Sequence, residues 1–206
     1  MGLYEEALKN YDQAVQLIES LEGHEWMLEE RGVLFRKLGR YEEAFNDFCQ
    51  IIEFNSKRWS AFYGRGELYL TLKRYNLALS DFNHAINLKP RRSWCYYDRA
   101  LAYLALNQPE NAKADLDRAI QLAQQRYDDD SQNHRNTFNL ALYHLVARNK
   151  AQAEHFYRDA LNRGAAKEQI REAIQDLEDL LTVFPEQPWA QTVKAALEKR
   201  LPSGGS

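Results

Sequence analysis

One amphipathic stretch recurs along this chain at a fixed spacing, and that spacing confines the fold to one kind of architecture. Tyr75–Pro90 reads YNLALSDFNHAINLKP. Tyr41–Asn55 reads YEEAFNDFCQIIEFN, Pro109–Leu122 PENAKADLDRAIQL, Tyr4–Leu17 YEEALKNYDQAVQL and Lys150–Arg163 KAQAEHFYRDALNR. The same slots return: Ala7, Ala44, Ala78, Ala112 and Ala153; then Tyr11, Phe48, Phe82, Leu116 and Tyr157; then Ala14, Ile51, Ala85, Ala119 and Ala160. Ala44 to Ala78 is 34 residues, and so is Ala78 to Ala112. A period of this size marks stacked units, each touching its neighbours. The 206 residues therefore read as one elongated, all-α solenoid of antiparallel helix pairs.

In chain order, residues 1–21 carry a second helix with no first helix before it, a partial repeat. The chain thus reads as starting in mid-repeat and as a piece of a larger protein. Glu22-Gly23-His24 shifts the register by three, since Ala7 to Ala44 is 37 residues. Repeats follow at 22–56, 57–92 and 93–126, with helices expected at 25–38, 41–55, 59–72, 75–88, 93–106 and 109–125. Pro90 closes one repeat and Pro109 opens a helix, where its missing N–H costs nothing. Residues 127–133 form an insertion loop, YDDDSQN, and a divergent repeat occupies 134–166. Capping helices are expected at 167–184 and 188–201, and 202–206 as a flexible tail. Asp128-Asp129-Asp130 lacks the spacing, Gly and distal Glu of a calcium loop. It reads as a polar loop with Asp or Ser capping the next helix.

Net charge is −3 with a pI near 6.0, without the basic face of a nucleic-acid binder. No apolar run is long enough to span a membrane, and MGLYEEALKN lacks the start of a secretory signal. Cys49 and Cys95 are isolated, as expected of reduced thiols in a cytoplasmic protein. No histidine pair has metal spacing with a third ligand, and no phosphate-cradling loop or nucleophile motif is present. The reading is of a non-enzyme with no metal and no cofactor. His144 takes a core aromatic slot rather than that of a base.

The first helices share a second pattern: Leu28-x3-Gly32-x2-Phe35, Phe62-x3-Gly66-x2-Tyr69 and Tyr96-x3-Ala100-x2-Tyr103. Together with the second-helix slots, this resembles the tetratricopeptide repeat, over about residues 3–163. The resemblance implies a right-handed superhelix with first helices lining the inner face. His144, Lys150 and Ser56 depart from the family pattern, and the fifth unit is the least typical. Arg31, Arg65 and Arg99 precede the small-residue slot, and Asp47, Asp81 and Asp115 follow 16 residues later. Stacked arginines could make an anion site. The Asp recurring in step favours pairing across helices instead.

By that architecture the inner groove is lined by Trp26, Glu29 and Val33, then Tyr63 and Glu67, then Trp94, Tyr97, Asp98 and Leu101, then Phe138, Asn139 and Leu142. Gly64 falls on the same face. Exposed aromatics in a row mark a binding surface. The resemblance implies a scaffold that holds a peptide or helix of a partner protein in this groove. Its acidic and aromatic middle suits apolar side chains with some Lys or Arg. The carboxylate clamp of the family's chaperone-binding members is absent. The alternative is a structural spacer that self-associates, as a homodimer through the exposed terminal helix, with helix 188–201 filling the groove. RNA binding needs a basic groove, which Glu67 and Asp98 oppose; no nucleic acid and no membrane is expected as partner.

Overall fold

The computed structural model describes residues 2–201. The expected tail at 202–206 and the side chain of Leu3 lie outside the described residues. Among these residues every regular element is a helix: α1 (Gly2–Leu17), α2 (Glu25–Lys37), α3 (Tyr41–Phe54), α4 (Trp59–Thr71), α5 (Tyr75–Leu88), α6 (Ser93–Ala105), α7 (Pro109–Asp129), α8 (His134–Val146), α9 (Lys150–Asn162), α10 (Lys167–Val183) and α11 (Pro188–Glu198). The chain divides into two compact units, Met1–Arg91 and Arg92–Ser206. In each unit consecutive helices pair, α2 with α3, α4 with α5, α6 with α7 and α8 with α9.

A single turn geometry joins the helices of every pair. Gly39, Lys73, Asn107 and Arg148 each take a left-handed backbone, with φ of 74°, 58°, 55° and 61°. The next N–H then reaches back five residues: Arg40 to Phe35 O, Arg74 to Tyr69 O, Gln108 to Tyr103 O and Asn149 to His144 O, all at 2.8 Å. This closes the open carbonyls of the first helix and reverses the chain in three residues. Only Gly39 was legible as such a stop.

In the first unit the packing turns on Phe48, which is 1% exposed. A Cβ added to Gly32 of α2 would sit 3.0 Å from its Cζ, and one added to Gly64 of α4 would sit 2.5 Å from its Cε1. One ring therefore fixes the spacing of α2 and α4. Gly64, expected on the groove face, belongs to this contact instead. Phe82 holds Gly66 in the same way, at 2.7 Å from an added Cβ. Ala44, Ile51, Ala78 and Ala85 are fully buried in the slots the repeat assigns them.

The Arg–Asp pairs form as two-pronged contacts. Arg31 Nε and Nη2 donate to Asp47 at 2.9 and 2.7 Å, Arg65 to Asp81 at 2.8 and 2.9 Å, and Arg99 to Asp115 at 2.7 and 2.6 Å. The three carboxylates are buried, so each pair ties first helix to second within its repeat. Removing one partner would strand a buried charge, at a cost of about 3–5 kcal/mol.

In the second unit α7 runs on to Asp129, so the first residues of the expected insertion loop are helical. Tyr127 explains the extension. Its ring stands edge-on to Phe156 of α9 at 5.4 Å, and its hydroxyl donates to Asp159 at 3.1 Å. The helix is carried past the repeat because its last turn has a core to join. Asn133, not Asp or Ser, caps α8 by accepting from the Asn136 N–H. At the other end of the unit, α10 packs on α8 and α11 packs on α10.

Two substitutions test these constraints. Gly64→Ala gains about 1 kcal/mol of helix propensity, but drives a methyl into a buried ring. We expect a net loss of about 1–3 kcal/mol in urea unfolding, partly recovered when Phe48→Leu is added. Lys73→Gly should act the other way. Relief of about 1–2 kcal/mol of left-handed strain outweighs about 0.4–1 kcal/mol of added unfolded-chain entropy, so the melting temperature rises.

Candidate functional site

The two units present their expected inner positions differently. In the first, α2 exposes Trp26, 46% accessible, with its ring edge-on to Tyr11 at 6.4 Å. Val33 is half-buried against the core of that unit. Tyr63 on α4 is half-buried and lies between Trp59 and Phe82, at 6.3 and 6.0 Å between ring centroids. Glu29 accepts two hydrogen bonds from Arg58, at 2.6 and 2.9 Å, and one from the Ser60 hydroxyl. Arg36 of α2 reaches Glu67 of α4 at 3.1 Å. The hydrogen bonds to Glu29 raise the Arg58 pKa above its ordinary value. Glu29 and Glu67, read as part of an acidic groove, are therefore held by arginines of their own unit. These partners lie 29–31 residues apart, off the repeat slots, so periodicity did not reveal them.

In the second unit the inner positions are mostly closed. Tyr97, Leu101, Phe138 and Leu142 are 6%, 3%, 3% and 4% exposed, not the open wall expected of them. Tyr97 stacks on Tyr143 at 4.8 Å, and Phe138 tilts against Tyr157 at 6.1 Å. The reason lies in α8, which buries residues on every side: Thr137, Phe138 and all of 140–145. A helix with buried residues all round has neighbours all round. The added neighbour is α10, not the 188–201 segment expected to fill the groove; that segment forms α11 and rests on α10. Trp94, Asp98 and Asn139 stay half-buried, Trp94 with the Arg92 and Arg126 guanidinium groups at 5.2 and 5.0 Å from its ring.

Burial raises the pKa of the Tyr97, Tyr143 and Tyr157 hydroxyls, and the Asp176 carboxylate of α10 adds to the shift in all three. His144 stacks flat on Phe156 at 5.7 Å with its Nδ1 near Asn149, as a core ring. Among the described residues no group of three or more His, Cys, Asp or Glu could hold a metal ion. No described helix is long and apolar enough to cross a membrane.

His144 makes stability depend on pH. Burial lowers its pKa below 6.5, so the unfolded chain takes up the proton first as pH falls. Stability then drops as pH descends through 6.5 toward the folded value. Thermal melts between roughly pH 7.5 and 5.5 should show a falling midpoint, with a flatter slope for His144→Phe.

Comparison with known proteins agrees with this geometry. The tetratricopeptide repeat model matches residues 27–58, 60–92 and 95–126. Comparison with curated protein sequences returned no match. Among solved structures, a thermophilic TPR protein of Thermus thermophilus, TTC0263, aligns with a TM-score of 0.54 at 20% identity, covering 84% of this chain and 98% of that one. MamA aligns with a TM-score of 0.52 at 15% identity, covering 79% and 89%. Both likenesses speak for the fold, an all-α solenoid of antiparallel helix pairs. With three consecutive repeats matched and the pairs built as described, the chain belongs to the tetratricopeptide repeat family, whose repeats serve as protein-interaction scaffolds.

Proposed function

We propose that this chain binds a peptide or helix of a partner protein on the α2–α4 face of its first unit. The observation that carries this reading is Trp26, which keeps nearly half its surface in water on α2, where Val33 is half-buried, as is Tyr63 on α4. A large aromatic left open beside other apolar groups is the usual anchor of a protein contact. Glu29 and Glu67 are engaged by Arg58 and Arg36. The ligand we propose is therefore held chiefly by apolar side chains, with Lys or Arg reaching the exposed Glu30 at the rim.

Self-association through α1 is a second reading. It is favoured by Ala7, Tyr11 and Ala14, which are half-buried, whereas their counterparts Ala44, Phe48 and Ile51 are closed. A monomer by light scattering over a wide concentration range would remove it.

The main reading is tested by selecting binders from a random peptide library on the full chain. Selected peptides should be rich in apolar residues. They should lose about 30-fold in affinity on a Trp26→Glu/Tyr63→Glu variant of unchanged helicity. Peptides held equally by both proteins would remove the α2–α4 face as the site.

A further inference from the structure

The starts of α3, α5 and α7 differ at one pair of slots. At α3, Arg40 Nε donates to Glu43 at 2.9 Å, and at α7, Asn111 Nδ2 donates to Gln108 at 2.9 Å. The same slots at α5 hold Arg74 and Leu77. A leucine cannot answer a guanidinium, and among the described residues no carboxylate reaches Arg74. The first turn of α3 carries Glu42 and Glu43, and that of α7 carries Glu110, whereas that of α5 carries no acid. Lys73, exposed beside Arg74, adds a second cation, and the open N-terminus of α5 adds a partial charge of the same sign.

The apolar side chains left open in the first unit gather at this turn. Seven large apolar residues are exposed among the described residues, and three of them are Leu77, Leu72 and Phe45, at 45%, 41% and 38%. The Phe45 ring stands edge-on to Tyr69 at 5.9 Å. Tyr69 lies one helical turn before Leu72, and Leu77 one turn after Arg74. The slot of Leu72 is half-buried in the neighbouring repeats, at Leu38 and Leu106, so the exposure belongs to this turn. An open apolar patch rimmed by charge of one sign has the make-up of a protein contact.

We propose that the α4–α5 turn is a docking site for an acidic segment of a partner protein. That segment sets a Leu or Phe side chain against Phe45, Leu72 and Leu77, and a carboxylate on Arg74. Charge complementarity names this occupant, since the carboxylate would do for Arg74 what Glu43 does for Arg40. Two cations are too few for an anionic membrane surface, which is held by clusters of about 4–8 Lys or Arg. The site uses neither Trp26 nor Tyr63, so it can hold where the α2–α4 face fails, and the reverse.

The probe is a random peptide library, selected on the Trp26→Glu/Tyr63→Glu chain so that binders of the α2–α4 face are lost. Each selected peptide is then measured on the parent and on two variants that carry pairs the chain already uses. Leu77→Glu gives Arg74 the partner that Arg40 has, and Arg74→Gln/Leu77→Asn installs the pair of α7. Both alter exposed positions and should keep the parent's helicity, with a melting midpoint within about 2 °C of it. The peptides should combine Asp or Glu with Leu or Phe, and should bind the parent as they bind the selection chain. They should lose at least about tenfold in affinity on either variant. Their affinity should also fall at least about threefold between roughly 50 and 300 mM salt. Peptides held as tightly by Leu77→Glu as by the parent would overturn the proposal. So would binders that lack acidic residues and ignore salt, or a selection that returns none. Phosphatidylserine vesicles that bind the parent and not Leu77→Glu would overturn the assignment to a peptide. Light scattering that shows a dimer lost in Leu77→Glu would overturn the assignment to a separate partner.

Discussion

The ring of Phe48 sets the distance between α2 and α4, and much of the first unit follows from it. Two glycines are needed because the ring meets one helix on each side, Gly32 within its own pair and Gly64 in the next. Close-packed interiors leave no room for another atom at either position. Where those two helices lie then decides where the Arg36–Glu67 bridge can form. The Arg31–Asp47 pair contributes direction, since a two-pronged contact fixes an angle as well as a distance. The apolar ring fixes spacing and the ion pair fixes rotation; the ring contact recurs at Phe82 and the ion pair in the next two repeats.

The helix pairs were legible because their cause is periodic. Ala44, Ala78 and Ala112 must all be small for the same reason, so one sequence shows the constraint three times. The Arg–Asp pairs were legible on the same grounds, through a constant separation of 16 residues. What escaped is what does not repeat in type. Lys73, Asn107 and Arg148 take the left-handed turn that Gly39 takes, but three different side chains hide one backbone geometry. The extension of α7 rests on a single residue, Tyr127, finding Phe156 and Asp159. The Arg58–Glu29 and Arg36–Glu67 bridges link positions with no common slot.

The candidate site divides along the same line. Which residues share one side of a helix was readable from i, i+3, i+4, i+7 spacing, because helix geometry alone decides it. Whether that face is open is decided by what packs on it, and α10 carries no repeat signature to say where it goes. An apolar stripe such as Ile170, Ile174 and Leu177 predicts that α10 is covered; it does not name the covering helix. Tyr97, Leu101, Phe138 and Leu142 were expected to form an exposed wall and are instead buried.

That distinction bears on how such a scaffold can carry more than one contact. A face lined by charged pairs within its own unit, as on α2 and α4, has met its polar needs and can leave aromatics open at little cost. A face lined by Tyr97, Phe138 and Leu142 without such pairs cannot stay open, because the exposed area would be too large and too apolar. It closes instead, with Tyr97 stacked on Tyr143 and Phe138 tilted against Tyr157, because apolar area on this scale is stable only when packed.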